Sequence, residues 1–408
     1  MKAWSEIEFT KSILRNAIGR GNQINASEIL ESGKYPVIDQ GKSFIAGYTN
    51  YEEKLIKDGF PYVIFGDHTR CFKYVDFPFA IGADGTKVLS PNTELFDPLF
   101  FYFQLLSLDI QNRGYNRHFK LLKEKILKLP PFPEQRKIAY VLSSIQKAIE
   151  QQDKLIKTTT ELKKALMQKL FTEGLYGENQ KETEIGLVPE SWEVVELKKY
   201  LLKTVLKDPT KNPNDKFVYI DVSSVSNDFF KIAYPKTMLG KDAPSRARKL
   251  IQEGDVIFAT VRPTLKRIAK VNSDYHNQIC STGYVVLKPN QKFLTQEFLY
   301  QYVQTEYFIN RIEKLQRGAS YPAVRDTDVK GMLIPLPKLN IQQEIGSALA
   351  AFDKKMSVIQ KKKQTLTDLF KTMLHELMTG QRRVNEINFE NDKEELLMAA
   401  ESEIKYNE

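Results

Sequence analysis

The stretch "LPPFPEQRKIAYVLSSI" beginning at Leu129 returns 207 positions later as "LPKLNIQQEIGSALAAF" beginning at Leu336. The register holds through Leu162 with Leu369, Leu166 with Met373, Leu170 with Leu377 and Thr172 with Thr379. One extra residue then precedes Gly174, which answers Gly380. A gapless repeat of this length constrains architecture more than any local propensity, because the same unit must find its packing twice. Upstream the similarity weakens while its order persists. "WSEIEF" from Trp4 answers "WEVVEL" from Trp192, "YVIFGDHTR" from Tyr62 parallels "DVIFATVRP" from Asp255, and "GTKVLSPN" from Gly85 answers "GYVVLKPN" from Gly283. Each half therefore reads as one variable globular domain followed by one similar helix.

Steps of three and four residues from Ile345 select Ile345, Leu349, Phe352, Met356, Ile359, Lys363, Leu366, Phe370, Met373 and Leu377, a heptad seam with one polar break. The first copy gives Ile138, Leu142, Ile145, Ile149, Gln152, Ile156, Thr159, Lys163, Leu166 and Leu170, more polar toward its middle. The pattern predicts two coiled-coil helices of roughly 40 residues, each about 60 Å long at 1.5 Å per residue. Proline clusters precede both (Pro130, Pro131 and Pro133; Pro335 and Pro337), and Gly174 and Gly380 follow them, as helix punctuation requires.

The polar stretch "GLYGENQKETEIGLVPESW" between the halves reads as a linker. Even fully stretched it reaches about 50 Å, which favours a second domain starting near the far end of the first helix and a second helix that returns. Short β-rich runs ("YVIF", "KVLS", "FVYIDV", "DVIFATV", "GYVVLK") alternate with apolar helical candidates at Pro98 to Leu108 and Leu294 to Ile312. The expected fold is α+β, with two mixed α/β domains separated by two long helices in an antiparallel coiled coil and related by a pseudo-two-fold internal repeat. Its segments are domain 1 at 1–125, helix 1 at 126–174, a linker at 175–187, domain 2 at 188–332, helix 2 at 333–380 and an acidic tail at 381–408.

At 408 residues, 42% hydrophobic and 27% charged, the chain has the composition of a globular protein. The first dozen residues are charged and lack an apolar signal core, and the run Leu99 to Leu106 is far short of the roughly 20 residues a membrane span needs. Two cysteines, Cys71 and Cys280, cannot form a disulfide framework or a four-cysteine zinc site. A reduced, cytoplasmic protein is expected.

Enzymatic readings meet missing groups. Pro130-Pro131-Phe132 resembles the signature with which amino-methyltransferases hold a flipped base, but the leading position is Leu129, which has no oxygen to accept the exocyclic amine. No glycine-rich loop for S-adenosylmethionine follows a strand. Asp39 with Glu52 and Lys54 could be assembled into a Mg²⁺ nuclease site, or could simply be solvated turn residues. His68, His118, His276 and His375 have no neighbouring metal-ligand set, and there is no Gly-x-Ser-x-Gly elbow.

The formal charge of +9 is unevenly spread. Residues 188–332 hold 23 Lys and Arg against 16 Asp and Glu, residues 1–125 hold 16 against 15, and the tail from 381 holds 4 against 8. In domain 2 the basic groups cluster as Arg246, Arg248 and Lys249, then Arg262, Lys266, Arg267 and Lys270, then Arg317 and Arg325 flanking Tyr321. In domain 1 the comparable segments hold His68, Arg70 and Lys73, and Arg113, Tyr115, Asn116, Arg117, His118 and Lys120. Such groups neutralise phosphates or bond base edges, and tyrosine can pack on sugar or base. Recurrence at matching places in both halves favours a DNA interface over scattered surface charge.

Together, "LPPFPEQRKI" and "LPLPKLNIQQEI", "LMQKLFTEG" and "MLHELMTG", "IGLVPESWEVVEL", and "VIFGDHTR" with "FPFAIGADGTKVL" resemble the specificity subunit of type I restriction-modification systems over nearly the whole chain. This resemblance implies a non-catalytic reader of double-stranded DNA. Its two target-recognition domains would each bind half of a bipartite site, and the helices would fix the spacer. It further implies two modification (methyltransferase) subunits docked on the helical repeats and restriction subunits for translocation and cleavage. No cofactor is expected on this chain, with S-adenosylmethionine, ATP and Mg²⁺ on the partners. "NIQQEI" departs from the more usual Pro-Glu-Gln entry of the second helix. Rival readings are a methyltransferase or nuclease in its own right, and a coiled-coil scaffold whose basic domains bind nucleic acid.

Overall fold

A computed structural model describes residues 4–384 except 17, 83 and 115. Tyr115 and the acidic tail beyond Val384 lie outside the described residues. The chain divides into two compact units, unit 1 from residues up to Asp153 together with those from Lys362 onward, unit 2 from Lys154 to Lys361. Among the described residues seven α-helices run in chain order: α1 Pro98–Leu106, α2 Phe119–Lys123, α3 Phe132–Glu173, α4 Gln296–Tyr302, α5 Glu306–Lys314, α6 Asp326–Lys330 and α7 Leu339–Thr379. The two long helices, 42 and 41 residues, contribute to both units. No described helix is long and apolar enough to cross a membrane.

In unit 1 the strand Ser5–Glu8 pairs antiparallel with Ile126–Leu129, closing the domain just ahead of α3. One four-stranded sheet has Thr86–Pro91 and Phe72–Val75 flanking the fully buried strand Tyr62–Gly66. A second contains the parallel pair Tyr35–Ile38 and Ala80–Gly82. Unit 2 repeats each device. Glu193–Glu196 pairs with Leu333–Leu336, Val256–Ala259 lies between Ile268–Lys270 and Tyr284–Leu287, and Lys216–Ile220 runs parallel to Gln278–Ser281. The 207-residue offset relates α2 to α6 and Ile126–Leu129 to Leu333–Leu336, so the repeat begins upstream of the long helices. Helix α5 is an addition of unit 2.

Helix α1, "PLFFYFQLL", is apolar on nearly every side because it is wrapped on nearly every side. Phe100, Phe101 and Phe103 lie in one core with Phe65 of the sheet, Ile138 and Leu142 of α3, and Met373 and Leu377 of α7. At about 1.5–3 kcal/mol per fully buried large side chain, this helix is a main source of the unit's cohesion. Asp97 starts it by accepting from Leu99 N and Phe100 N at 3.1 and 3.0 Å, and Thr295 starts α4 through Phe298 N at 3.3 Å. In unit 2, Phe298 and Leu299 share a core with Phe171 of α3 and Ile345 and Leu349 of α7.

Three ion pairs and one hydrogen bond give the direction of the long helices inside each unit. In unit 1 Glu134 meets Arg383 at 2.8 Å and Asp153 meets Lys363 at 2.5 Å. In unit 2 Lys163 meets Asp353 at 2.6 Å and Tyr176 meets Glu344 at 3.3 Å. Rising numbers on one helix match falling numbers on the other, so the packing is antiparallel. Of the seam residues, Ile138, Leu142, Ile145, Ile345, Leu349 and Ile359 are buried, and Ile149, Phe352 and Met356 are partly so. The apparent polar breaks Gln152 and Thr159 are buried as well. Gly174 and Gly380 terminate the helices at φ 71° and 75°, where a Cβ would be strained.

Each helix entry carries the same internal clamp. The buried Gln135 side chain donates to the carbonyls of Leu95 and Pro130, both at 2.9 Å, and accepts from Asp97 N at 2.8 Å. Gln342 donates to Phe293 and Pro337 at 2.8 and 2.9 Å and accepts from Thr295 N at 2.9 Å. The departure "NIQQEI" therefore changes Glu134 to Ile341 and leaves the clamping glutamine in place.

Candidate nucleic-acid interface

The buried strand Tyr62–Gly66 ends in a turn that places Arg70 at φ 62°, a left-handed conformation that long L side chains rarely adopt. The turn is fastened to the loop before α2. Arg70 Nη1 donates to the Ile110 carbonyl at 2.7 Å, Phe119 N donates to Asp67 Oδ1 at 2.7 Å, and His118 N donates to the Asp67 carbonyl at 2.9 Å. That loop and the start of α2 expose Arg113, Asn116, Arg117 and Lys120. Asn116 donates its amide to the Arg113 carbonyl, and Arg117 lies 3.6 Å from Asp84, both side chains mostly in solvent. Such an exposed pair is weak and can exchange its partner.

Unit 2 builds the same junction from other residues. Strand Val256–Ala259 runs into a turn with Arg262 at φ 47° and Lys266 at φ 53° around Pro263. The loop before α6 packs on it through Arg262 N to the Pro322 carbonyl at 2.7 Å and Val324 N to the Thr260 carbonyl at 2.9 Å. The Arg262 guanidinium stands 5.5 Å from the ring centroid of Tyr321, which is 74% exposed. Arg317 pairs with Asp328 at 2.6 Å, which raises the arginine's pKa and lowers the carboxyl's. Arg325 sits exposed at the start of α6. Two stretches more than fifty positions apart thus converge on one face holding Arg262, Arg317, Tyr321 and Arg325. Three of the five described non-glycine residues at positive φ are basic and lie on these turns, Arg70, Arg262 and Lys266, and strain of about 1–3 kcal/mol persists only where surroundings impose it.

Other sequence candidates face inward or elsewhere. Lys73 is 5% exposed and its ammonium donates to the Asp39 carbonyl at 2.7 Å, so it is an internal brace and not part of the exposed set. Burial lowers its pKa against the opposing pull of Asp39. Lys249 is likewise buried, between the Tyr284 carbonyl at 2.6 Å and Asp326 at 2.5 Å. Arg267 donates to the carbonyls of Val222 and Val225, and Arg248 to that of Ala247, while Lys266 is half-buried and Arg246 is exposed. His68 is half-buried, its backbone N–H held by Gln40 Oε1 at 3.1 Å.

The nuclease constellation is not assembled. Asp39 serves Lys73 and the Gly41 N–H at 2.8 Å, and Glu52 serves Lys57 at 2.8 Å, which lowers its pKa. Among the described residues, no three His, Cys, Asp or Glu are grouped to hold a metal. Sequence reasoning overlooked Asp67 and the clamping glutamines. The identity of Gln135 and Gln342 in the repeat was a visible signal for the latter.

Two blocks of the chain, residues 15–159 and 189–368, match the family model described as type I restriction modification DNA specificity domain. Each block runs from a strand-rich domain into its long helix. The type I restriction enzyme MjaVIII specificity subunit of Methanocaldococcus jannaschii is 27% identical over 319 residues, 74% of either chain. The HindI specificity subunit of Haemophilus influenzae is 28% identical over 160 residues, covering 38% of this chain and 31% of that one. The crystal structure of the type I restriction-modification S subunit from M. genitalium has the same fold, with a TM-score of 0.60 at 18% identity over 92% of this chain and 96% of that one. Matched twice by one model over most of its length, the chain belongs to the type I restriction-modification DNA specificity family and is a specificity subunit of such a system.

Proposed function

We propose that the chain is a non-catalytic reader of a bipartite duplex DNA site. The junction of the 67–70 turn with the 111–120 loop reads one half, and the junction of the 260–266 turn with the 317–325 loop reads the other. The observation carrying this is that both units bring the same two loops together, each turn holding at least one basic residue at positive φ and each pair presenting exposed arginines. Arginine can form paired bonds to guanine edges or neutralise phosphates, and Tyr321 offers a stacking face. Helices α3 and α7 act as a coiled-coil ruler, so that two readers at a fixed separation bind jointly only where both half-sites are correctly spaced. Their repeated faces dock two methyltransferase subunits, which bring S-adenosylmethionine, while restriction subunits bring ATP and Mg²⁺ chemistry. The complex works in the cytoplasm.

The test is to co-produce the chain with its modification subunit in a methylation-free host and map modified adenines. A split motif with a fixed gap is expected. Arg113→Ala with Arg117→Ala should relax one half, and Arg262→Ala with Tyr321→Ala the other. If both pairs of substitutions degrade the same half, or neither changes the motif, the assignment fails. S-adenosylmethionine binding or Mg²⁺-dependent cutting by the isolated chain would support the rival enzymatic reading.

A further inference from the structure

We infer that His118 is the positioning residue of the unit 1 reading loop. The side chain is completely buried, unlike the exposed groups on either side of it in sequence. Its Nδ1 lies 2.9 Å from the Asp67 carbonyl oxygen, and its Nε2 lies 3.1 Å from the Arg113 N–H. The carbonyl can only accept and the amide can only donate, so the ring is a neutral imidazole with its proton on Nδ1. Both nitrogens are used, which leaves none for a metal or a base. One ring therefore ties the turn after the central strand to the residue that opens the exposed loop.

Between its two anchors, Ile110 and His118, the described residues of the loop reach the rest of the unit through the exposed Arg117 to Asp84 pair at 3.6 Å, which is weak. Gly114 N donates to Asn112 Oδ1 at 3.0 Å and the Asn116 amide to the Arg113 carbonyl, both within the loop. Ordering such a segment costs conformational entropy at every residue, and a buried bond at Arg113 removes part of that cost before DNA arrives. The position 207 residues on is Arg325, which is exposed. There the loop is closed by the reciprocal backbone bonds of Arg317 and Ala323, at 2.9 and 3.0 Å, and by the Arg317 to Asp328 pair. In unit 1 the tie at Arg113 comes from one side chain, whereas unit 2 closes the equivalent loop through several bonds, so a lesion at His118 should damage recognition of one half-site only.

This inference rests on the 111–120 loop touching DNA, and the experiment separates the two ideas. The chain with its modification subunit is compared as wild type, His118→Phe, His118→Asn, His118→Gln and the Arg113→Ala with Arg117→Ala double variant, by mapping modified adenines. Glutamine places a carbonyl oxygen near Nε2 and keeps the Arg113 contact, whereas asparagine reaches only the Nδ1 side. His118→Phe should lose about tenfold discrimination per contacted base pair in the half affected by the double variant, with the other half and the gap unchanged. His118→Gln should recover more of this than His118→Asn. A uniform fall across both halves, unaltered specificity, or asparagine matching glutamine would overturn the inference. Should His118→Phe not accumulate, the glutamine and asparagine pair carries the same comparison. A double variant that leaves the motif intact would instead overturn the reading of the loop.

Discussion

Replacing Gln135 by Met keeps the length of the side chain and removes its three bonds. The carbonyls of Leu95 and Pro130 lose a donor, and Asp97 N loses its acceptor, all at a site where the side chain is 1% exposed. A buried polar group left unpaired costs about 1–3 kcal/mol. The low end applies here because the segment can relax, so the expected loss is about 3 kcal/mol. Asp97 still caps α1 through Leu99 N and Phe100 N, so the helix survives while its attachment to α3 is loosened. Amide hydrogen exchange reads this locally. Protection of residues 95–106 should fall by about two orders of magnitude, at 1.4 kcal/mol per factor of ten. Residues 293–302 in unit 2 should keep theirs. Gln342→Met should give the reverse pattern, since Gln342 makes the equivalent bonds to Phe293, Pro337 and Thr295. Gln135→Glu should cost at least as much, because a carboxylate would face two carbonyl oxygens. A change below about threefold at 95–106, or equal loss in both units, would refute the clamp, since each buried bond alone should exceed that factor.

Lys73→Met strips the ammonium from a buried pair and leaves Asp39 partly covered, so denaturant titration should show a loss of about 2–3 kcal/mol while the salt dependence of DNA binding stays that of wild type. A lowered salt slope with unchanged stability would place Lys73 on the DNA. Arg262→Ala and Tyr321→Ala, combined in a double-mutant cycle, should couple by about 0.5–1 kcal/mol in DNA affinity, because the guanidinium faces the ring; purely additive effects would show that the pair separates on DNA. Burial pushes the Asp255 carboxyl up to about 6, against the lowering influence of the Gln252 N–H, Lys288 and His276. Its folded pKa exceeds the unfolded value near 3.9, so its protonated form contributes stability at low pH that is lost as pH rises from about 4 to 6. At pH 7 the carboxylate then costs about 2–3 kcal/mol, and Asp255→Asn, which keeps the acceptor for Gln252 N, should raise Tm there and flatten the pH dependence. Parallel Tm curves for the two proteins over pH 4–7 would sink this account.

The architecture was legible where a residue's environment is dictated by its own spacing. Ile138, Leu142, Ile345 and Leu349 repeat at three and four, and all four are fully buried. The direction of side chains outside the helices was not legible, because it depends on partners far along the chain. Lys73 and Arg113 read alike as basic residues near turns, yet Asp39, 34 positions upstream, draws one inward, while the other stays exposed. Gln152 and Thr159 read as polar interruptions of a seam and are nonetheless buried. The clamps fall between these cases. Their glutamines stand out as identical in both copies, but the partners at Leu95 and Phe293 are main-chain carbonyls, which leave no mark on composition. That choice of partner has a consequence for a duplicated reader. Bonds from Gln135 and Gln342 to backbone hold each domain on its helix whatever side chains the loops carry. His118 in one unit can therefore face Arg325 at the equivalent place in the other without disturbing the frame. Under the proposed function, two domains on one scaffold are free to read different bases because what positions them is indifferent to the side chains their loops carry.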